Sequence, residues 1–220
     1  PTEMAGSPLR LLALVINEQM SSSMPPKVLV VDDEPDVADA YAAQLRGEYD
    51  VHVAHGGPDA VEQFDPTFDV VLLDRRMPGV SGDEVLDRIR DEAETEVRVA
   101  MVTAVDPDFD IIEMPFDDYL VKPVSRAELH EVIDRLLVCA TYERQLREFY
   151  SLTSKSATLR ANKAPEELDD SEEFADLEER RDALRAELDE TVAQFDDAEF
   201  AAVFRELHAD DHVGFDMAGR

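Results

Sequence analysis

Five short runs of almost unbroken apolar residues recur between positions 27 and 121, and amphipathic patterns separate them. The runs lie at 27–31, 51–54, 69–73, 98–102 and 119–121. A strand that is apolar on both sides must be covered on both faces, which is the demand of a parallel sheet with helices above and below. Between the runs, Val37, Tyr41 and Leu45 recur at a spacing of four, 60–64 makes a short helical turn, and Val85 and Ile89 follow Gly82-Asp83. The segment 106–114 reads as a fourth, weaker helix closed by Pro115. Such alternation predicts an open, doubly wound α/β domain with five parallel strands in the flavodoxin-like order 2-1-3-4-5.

The helical signal does not stop where that domain should. Ser125 and Glu128 form a capping box, in which hydroxyl and carboxylate satisfy the free N–H groups of a helix start. Leu129, Val132, Ile133, Leu136 and Leu137 follow as a buried stripe, and Cys139, Tyr142, Leu146 and Phe149 continue it, which predicts a helix to about Leu152. Residues 154–170, with Pro165 among them, read as a linker. From Ser171 a further helix carries Phe174, Leu177, Leu184, Leu188 and Phe195 at heptad-like spacing, with Arg181 at one core position. A short last helix is expected at 198–207. The two stripes can close as an intrachain hairpin or pair between chains as a coiled coil. Residues 1–26 have no periodic pattern and hold Ser21, Ser22, Ser23, Pro25 and Pro26, so they read as a flexible leader, with Met20 and Met24 as alternative starts. The expected organisation is a leader at 1–26, an α/β domain at 27–140, a helical module at 141–210 and a frayed tail at 211–220.

Charge narrows the partners. The chain has 52 acidic and 21 basic residues, a net charge of −31. Only Lys27, Lys122, Lys155 and Lys163 are lysines. An acidic, lysine-poor composition is that of a protein working in high salt, where screening relieves self-repulsion. It disfavours general binding to nucleic acid or anionic membrane. A single cysteine, Cys139, excludes an intramolecular disulfide framework or a cysteine-built zinc site and fits a reducing cytoplasm. The apolar run at 11–16 is far too short to span a bilayer. His52 and His55 have no partners at ligand spacing and read as surface residues of the second strand.

Candidate chemistry collects at the C-terminal ends of the expected strands, where open α/β sheets place their sites. Asp32 and Asp33 end the first, Asp74 the third, Thr103 the fourth, and Lys122 the fifth, with Pro123 next. Each residue alone has an ordinary reading: a helix cap, turn chemistry, a strand end, a surface lysine. Together they form a site. Three clustered carboxylates repel and require a cation, and hard oxygen donors select Mg²⁺ or Mn²⁺. Asp74 is then a carboxylate nucleophile for a phosphoryl group, with Thr103 and Lys122 as donors to its oxygens. No glycine-rich dinucleotide loop follows the first strand.

The four segments Val30-Val31-Asp32-Asp33-Glu34-Pro35, Leu72-Leu73-Asp74-Arg75-Arg76-Met77-Pro78-Gly79, Val102-Thr103-Ala104 and Asp118-Tyr119-Leu120-Val121-Lys122-Pro123 resemble, in order and spacing, the receiver domain of two-component response regulators. The resemblance covers about 27–138 and implies a non-enzymatic signalling protein that catalyses only its own phosphorylation and dephosphorylation. It implies Asp74 as phospho-acceptor, Asp33 as a direct Mg²⁺ ligand, Asp32 as one acting largely through water, and the Arg76 carbonyl as the last protein ligand. It further implies Thr103 and Lys122 on the phosphoryl oxygens, Tyr119 as an aromatic switch residue, a cis bond before Pro123, and a histidine kinase as partner. Pro115 stands where relatives often have glycine. The stretch from about Arg144 to Leu207 resembles the HalX-type domain of haloarchaeal regulators. The output expected of it is dimerisation or protein binding; the alternatives are regulation of transcription on DNA, or a phosphate shuttle with inert C-terminal helices. Arg180, Arg181 and Arg185 alternate with Glu178, Glu179, Asp182 and Glu187, the pattern of a salt-bridged solvated face.

Overall fold

The computed structural model describes residues 24–91 and 97–194. The leader up to residue 23, Phe195, the helix expected at 198–207 and the tail lie outside the described residues. The chain divides into two compact units that part between Thr141 and Tyr142.

The first unit is an α/β sandwich. Its strands are β1 (Lys27–Val31), β2 (Asp50–Ala54), β3 (Val70–Leu73), β4 (Arg98–Thr103) and β5 (Asp118–Val121), all parallel in the order β2-β1-β3-β4-β5. Its helices are α1 (Pro35–Leu45), α2 (Gly57–Gln63), α3 (Gly82–Asp91) and the start of α4 (Arg126–Asn162). Alternate residues of each strand serve opposite faces. Val28, Val30, Val70, Leu72, Ala100 and Val102 pack against Tyr41 and Leu45 of α1 and Leu129, Val132, Ile133 and Leu136 of α4. Leu29, Val31, Val71, Leu73, Val99 and Met101 pack against Ala60 of α2 and Val85, Leu86 and Ile89 of α3. Both sides of the central strands are buried, so the near-continuous apolar runs have their physical cause.

The fourth helix expected at 106–114 is instead a short 3₁₀ turn, Phe109–Glu113, with no buried residue. Its apolar residues Phe109 and Ile112 face solvent, Pro107 and Pro115 bracket it, and Asp108 caps it by accepting from the Phe109 N–H. Ser125 and Glu128 do form the reciprocal cap of α4, at 3.3 Å and 2.8 Å.

The second unit corrects the expected linker. Helix α4 does not end near Leu152 but runs to Asn162, and only 163–164 separate it from a short α5 (Pro165–Asp169) that precedes α6 (Glu172–Gln194). The serines and threonines of 154–162 are compatible with helix because their groups find partners within it or on α6. Thr158 Oγ1 donates to the Ser154 carbonyl, Asn162 Nδ2 donates to the Thr158 carbonyl, and buried Ser156 donates to Glu178. Pro165 sits at the first turn of α5, where a proline is tolerated. Pairings of Gln145 with Glu187, Glu148 with Arg180 and Ser156 with Glu178 run antiparallel, so this part of α4 and α6 form an intrachain hairpin. Phe174, Leu184, Leu188 and Tyr142 are buried in this unit. Burial, with smaller effects from Tyr150 and Asp189, pushes the Tyr142 hydroxyl up to about 12.

Candidate functional site

Each acidic residue of the cluster is delivered by a strand end. The Asp32 N–H donates to the Ala54 carbonyl of β2 at 3.2 Å, and the Asp74 N–H donates to the Val31 carbonyl of β1 at 2.9 Å. The register therefore places both carboxylates at one rim. Asp32, Asp33 and Asp74 each offer an oxygen such that all three lie within 4.8 Å of one another. Asp32 and Asp74 are buried and Asp33 is half-buried. Among the described residues this is the acidic group able to hold a metal ion. Its donors are all hard oxygens, which fits Mg²⁺ or Mn²⁺.

Lys122 closes the other side. Its N–H donates to the Thr103 carbonyl at 2.7 Å, which sets β5 against β4 at the rim. The ammonium lies 2.6 Å from Asp32 Oδ2 and 3.6 Å from Asp74 Oδ2. Burial pulls the lysine downward, but the Asp32 hydrogen bond and the charges of Asp74 and Asp32 outweigh it and raise it above the ordinary lysine value. The Lys122–Pro123 bond is cis. Thr103 is buried, and its hydroxyl accepts from the Val105 N–H. Tyr119 is half-buried on β5, and its hydroxyl donates to the Val105 carbonyl at 2.9 Å. Arg76 follows in the loop after β3, where Arg75 donates its N–H to Asp74 Oδ1 at 2.8 Å. This arrangement can hold a divalent cation and present one carboxylate oxygen of Asp74 to an electrophile, with a cation on each side.

Two residues of the surroundings escaped sequence reasoning. Tyr41 of α1 is buried beside Lys122, Asp32 and Asp74, and burial is the main cause that raises its hydroxyl. Its helical spacing marked it as core, and nothing in the spacing pointed to the rim. Arg75 lies inside a recognised motif, but the sequence assigned its side chain no role. Its side chain is only 13% exposed and bridges Asp83 of α3 and Asp110 of the 3₁₀ turn. An open groove of about 590 Å³ adjoins the site, lined by Arg75, Arg76, Met77, Asp83, Val105 and Asp110 among others. His52 lies 3.6 Å from Asp50 and edge-on to Phe68, while His55 is exposed just after β2. Arg180 and Arg181 are engaged by Glu148, Glu178 and Asp182. No helix among the described residues is long and apolar enough to cross a membrane.

Comparison with known proteins places this geometry. Residues 28–134 match the response regulator receiver domain, and residues 138–204 match the HalX domain. A candidate transcriptional regulator of Haloferax volcanii is 51% identical over 161 residues, which are 73% of this chain and 27% of that protein. The sensory transduction protein RegX3 of Mycobacterium tuberculosis is 43% identical over 107 residues, 46% of each chain. The solved response regulator TrrA of Thermotoga maritima is 30% identical, over 50% of this chain and 98% of that one, with a TM-score of 0.44. The chain thus spans 27% of the length of the first of these curated relatives and 46% of the second. The acidic, lysine-poor composition agrees with the Haloferax relative in marking a halophilic protein.

Proposed function

Because the chain belongs to the response regulators, a receiver domain followed by a HalX domain, we propose that it accepts a phosphoryl group on Asp74 and uses it to switch its helical C-terminal module. The observation that carries this reading is the Asp32, Asp33 and Asp74 cluster with Lys122 against it. Asp33 and Asp74 would hold Mg²⁺ directly, Asp32 largely through water, and the Arg76 carbonyl would complete the protein ligands. When bound, the ion supplies charge neutralisation between a carboxylate nucleophile and phosphorus. An Asp74 oxygen attacks the phosphorus of a phosphohistidine on a cytoplasmic histidine kinase, or of a small acyl phosphate. The new P–O bond forms as the P–N or old P–O bond breaks, and the leaving group departs with the electron pair. Thr103 and Lys122 donate to the phosphoryl oxygens, and Tyr119 responds to the new charge. Water attacking phosphorus breaks the P–O bond to Asp74, releases inorganic phosphate and restores the carboxylate, so the catalysis proposed is confined to the chain's own phosphorylation and dephosphorylation.

The test is the intact mass of the protein after incubation with Mg²⁺ and acetyl phosphate. The parent gains one phosphoryl group and Asp74→Asn gains none; equal gain by both removes the assignment.

For output, we assign 27–140 as receiver and 141–210 as the module that binds a second copy or another protein. A role in transcription is the second reading, favoured by the Haloferax relative's name. Light scattering of residues 24–220 in molar salt, with and without phosphorylation, tests self-association; a monomer under both conditions excludes it. A defined promoter fragment in a gel-shift assay in the same salt tests the second reading.

A further inference from the structure

The residue after Asp74 ties together elements that are far apart in sequence. Arg75 donates its backbone N–H to Asp74 Oδ1. Its guanidinium reaches Asp83 on α3 at 3.1 Å and Asp110 on the 3₁₀ turn at 2.5 Å, and the Tyr119 hydroxyl of β5 is a minor further influence on its basicity. Tyr119 in turn holds the Val105 carbonyl, two residues beyond Thr103. A planar guanidinium has five donors in a fixed fork, so one side chain can serve several partners at once. These contacts keep Arg75 strongly basic, and it is charged at every working pH.

The two carboxylate partners are not equally anchored. Asp83 opens a helix whose Val85, Leu86 and Ile89 are buried in the core. Asp110 sits in a turn with no buried residue, where Phe109 and Ile112 are 86% and 74% exposed. The bonds at the turn's two ends are short-range: Phe109 N–H to the Asp108 side chain, Ile111 N–H to the Asp108 carbonyl and Met114 N–H to the Ile111 carbonyl. A segment with so few buried contacts belongs to the low-stability end of a domain. The Arg75–Asp110 pair is partly shielded from solvent on the arginine side, so salt screens it less than a fully exposed pair.

We propose that Arg75 is a positioning residue that pins the 3₁₀ segment to the phosphoryl site and releases Asp110 when Asp74 carries a phosphoryl group. The inference rests on the proposed phosphorylation of Asp74. Phosphorylation brings a charge of about −1.5 to −2 to the neighbouring residue. It also converts the Asp74 carboxylate into an acyl phosphate, which weakens the acceptor that orients the Arg75 backbone. The guanidinium then has a competing anion, and Asp110, on the less anchored element, is the partner it gives up. Tyr119 holds the Val105 carbonyl, four residues before the turn begins, so release of the segment and movement of Tyr119 are coupled.

The experiment is hydrogen exchange by mass spectrometry on the full chain in molar salt, with Mg²⁺ alone and with Mg²⁺ plus acetyl phosphate. Phosphoryl mass is measured on the same samples. In the parent, peptides covering 106–114 exchange roughly fivefold faster after phosphorylation, the size expected for loss of one partly shielded ion pair. Arg75→Gln and Asp110→Asn exchange at that faster rate before phosphorylation and show no further rise, although both still gain phosphoryl mass. Arg75→Lys, a single point charge, falls between. Equal exchange in unphosphorylated parent and Arg75→Gln overturns the tether. A full phosphorylation response in Arg75→Gln overturns its coupling to Asp74. No phosphoryl mass in the parent overturns the Asp74 reading instead, and the comparison of unphosphorylated variants still decides the tether.

Discussion

Lys122 Nζ lies 2.6 Å from Asp32 Oδ2, although 90 residues separate them in sequence. The pair is mostly buried, with side-chain exposures of 13% and 3%, and Asp74 stands 3.6 Å from the same ammonium. The lysine therefore already neutralises part of the cluster that a metal would neutralise further. Removing one member of a buried pair leaves an uncompensated charge, at a cost of about 3–5 kcal/mol.

Lys122→Ala is expected to lose stability on that scale in metal-free buffer and to recover a large part of it when Mg²⁺ is added. It should still accept phosphoryl mass on Asp74 while losing the exchange response at 106–114. Denaturant unfolding with and without Mg²⁺, together with intact mass, checks both statements. A phosphorylated mutant with the full exchange response contradicts the role of the lysine.

Gly82 has no space for a side chain. A Cβ there would stand 2.1 Å from the Asp74 carbonyl oxygen and 2.8 Å from Arg75 Cα, both backbone atoms. The Gly82 N–H also donates to the Arg75 carbonyl at 2.9 Å, so α3 starts against the loop that presents Asp74. Gly82→Ala is expected to cost about 1–3 kcal/mol and to slow phosphoryl uptake, because the clash can be relieved only by moving that loop. At Gly79 a Cβ would meet nothing within 4 Å, but φ is +83°. Gly79→Ala should cost about 1–2 kcal/mol through backbone strain alone and leave uptake intact. Parallel measurement of unfolding and phosphorylation rate separates the two.

The strands, their order and the rim residues were legible because a parallel sheet forces long apolar runs and puts strand ends on one side. Asp32, Asp74, Thr103 and Lys122 each follow such a run, so topology alone collects them. Arg75 was not legible, since nothing local to Asp74 says that Asp83 and Asp110 converge on its neighbour. The 3₁₀ turn was overread as helix because Ile111, Ile112 and Met114 look apolar, although Ile112 is exposed. The long helix was underread at 154–162. Serine and threonine compete with the backbone in an isolated segment, whereas here Ser156 is satisfied by a glutamate 22 residues away.

Leu188 is 4% exposed within the α4–α6 hairpin. Leu188→Ala should cost the hairpin about 2–5 kcal/mol, seen as faster exchange at 145–160 and 174–190. Phosphoryl uptake on Asp74 should be unchanged, since the residue lies in the other compact unit. A mutant that loses uptake would show that the receiver depends on the hairpin for its fold.

Glu178 is the hub of the hairpin's polar contacts. It accepts from Ser156 at 2.6 Å and Arg160 at 2.7 Å on α4, and from Arg181 at 2.8 Å on its own helix, where Asp182 faces the same arginine. The Ser156 hydrogen bond is the largest cause that holds its carboxyl below the usual range; burial opposes it, and the two arginines add to it. A carboxyl lowered in the folded state stabilises that state fully above its unfolded value of about 4.3, and the contribution is lost as pH falls through the lower folded value. Acidification should therefore loosen the hairpin, with exchange at 150–160 and 174–184 rising from about pH 4.5 downward. Glu178→Gln should be looser than the parent at neutral pH and should lack that part of the acid response, so the two converge in acid. Arg160→Gln removes a partner without removing the titrating group, and its transition should shift toward the unfolded carboxyl value. If the parent and Glu178→Gln keep a constant difference in exchange from neutral pH down to about pH 3, the carboxylate does not govern the hairpin's acid response.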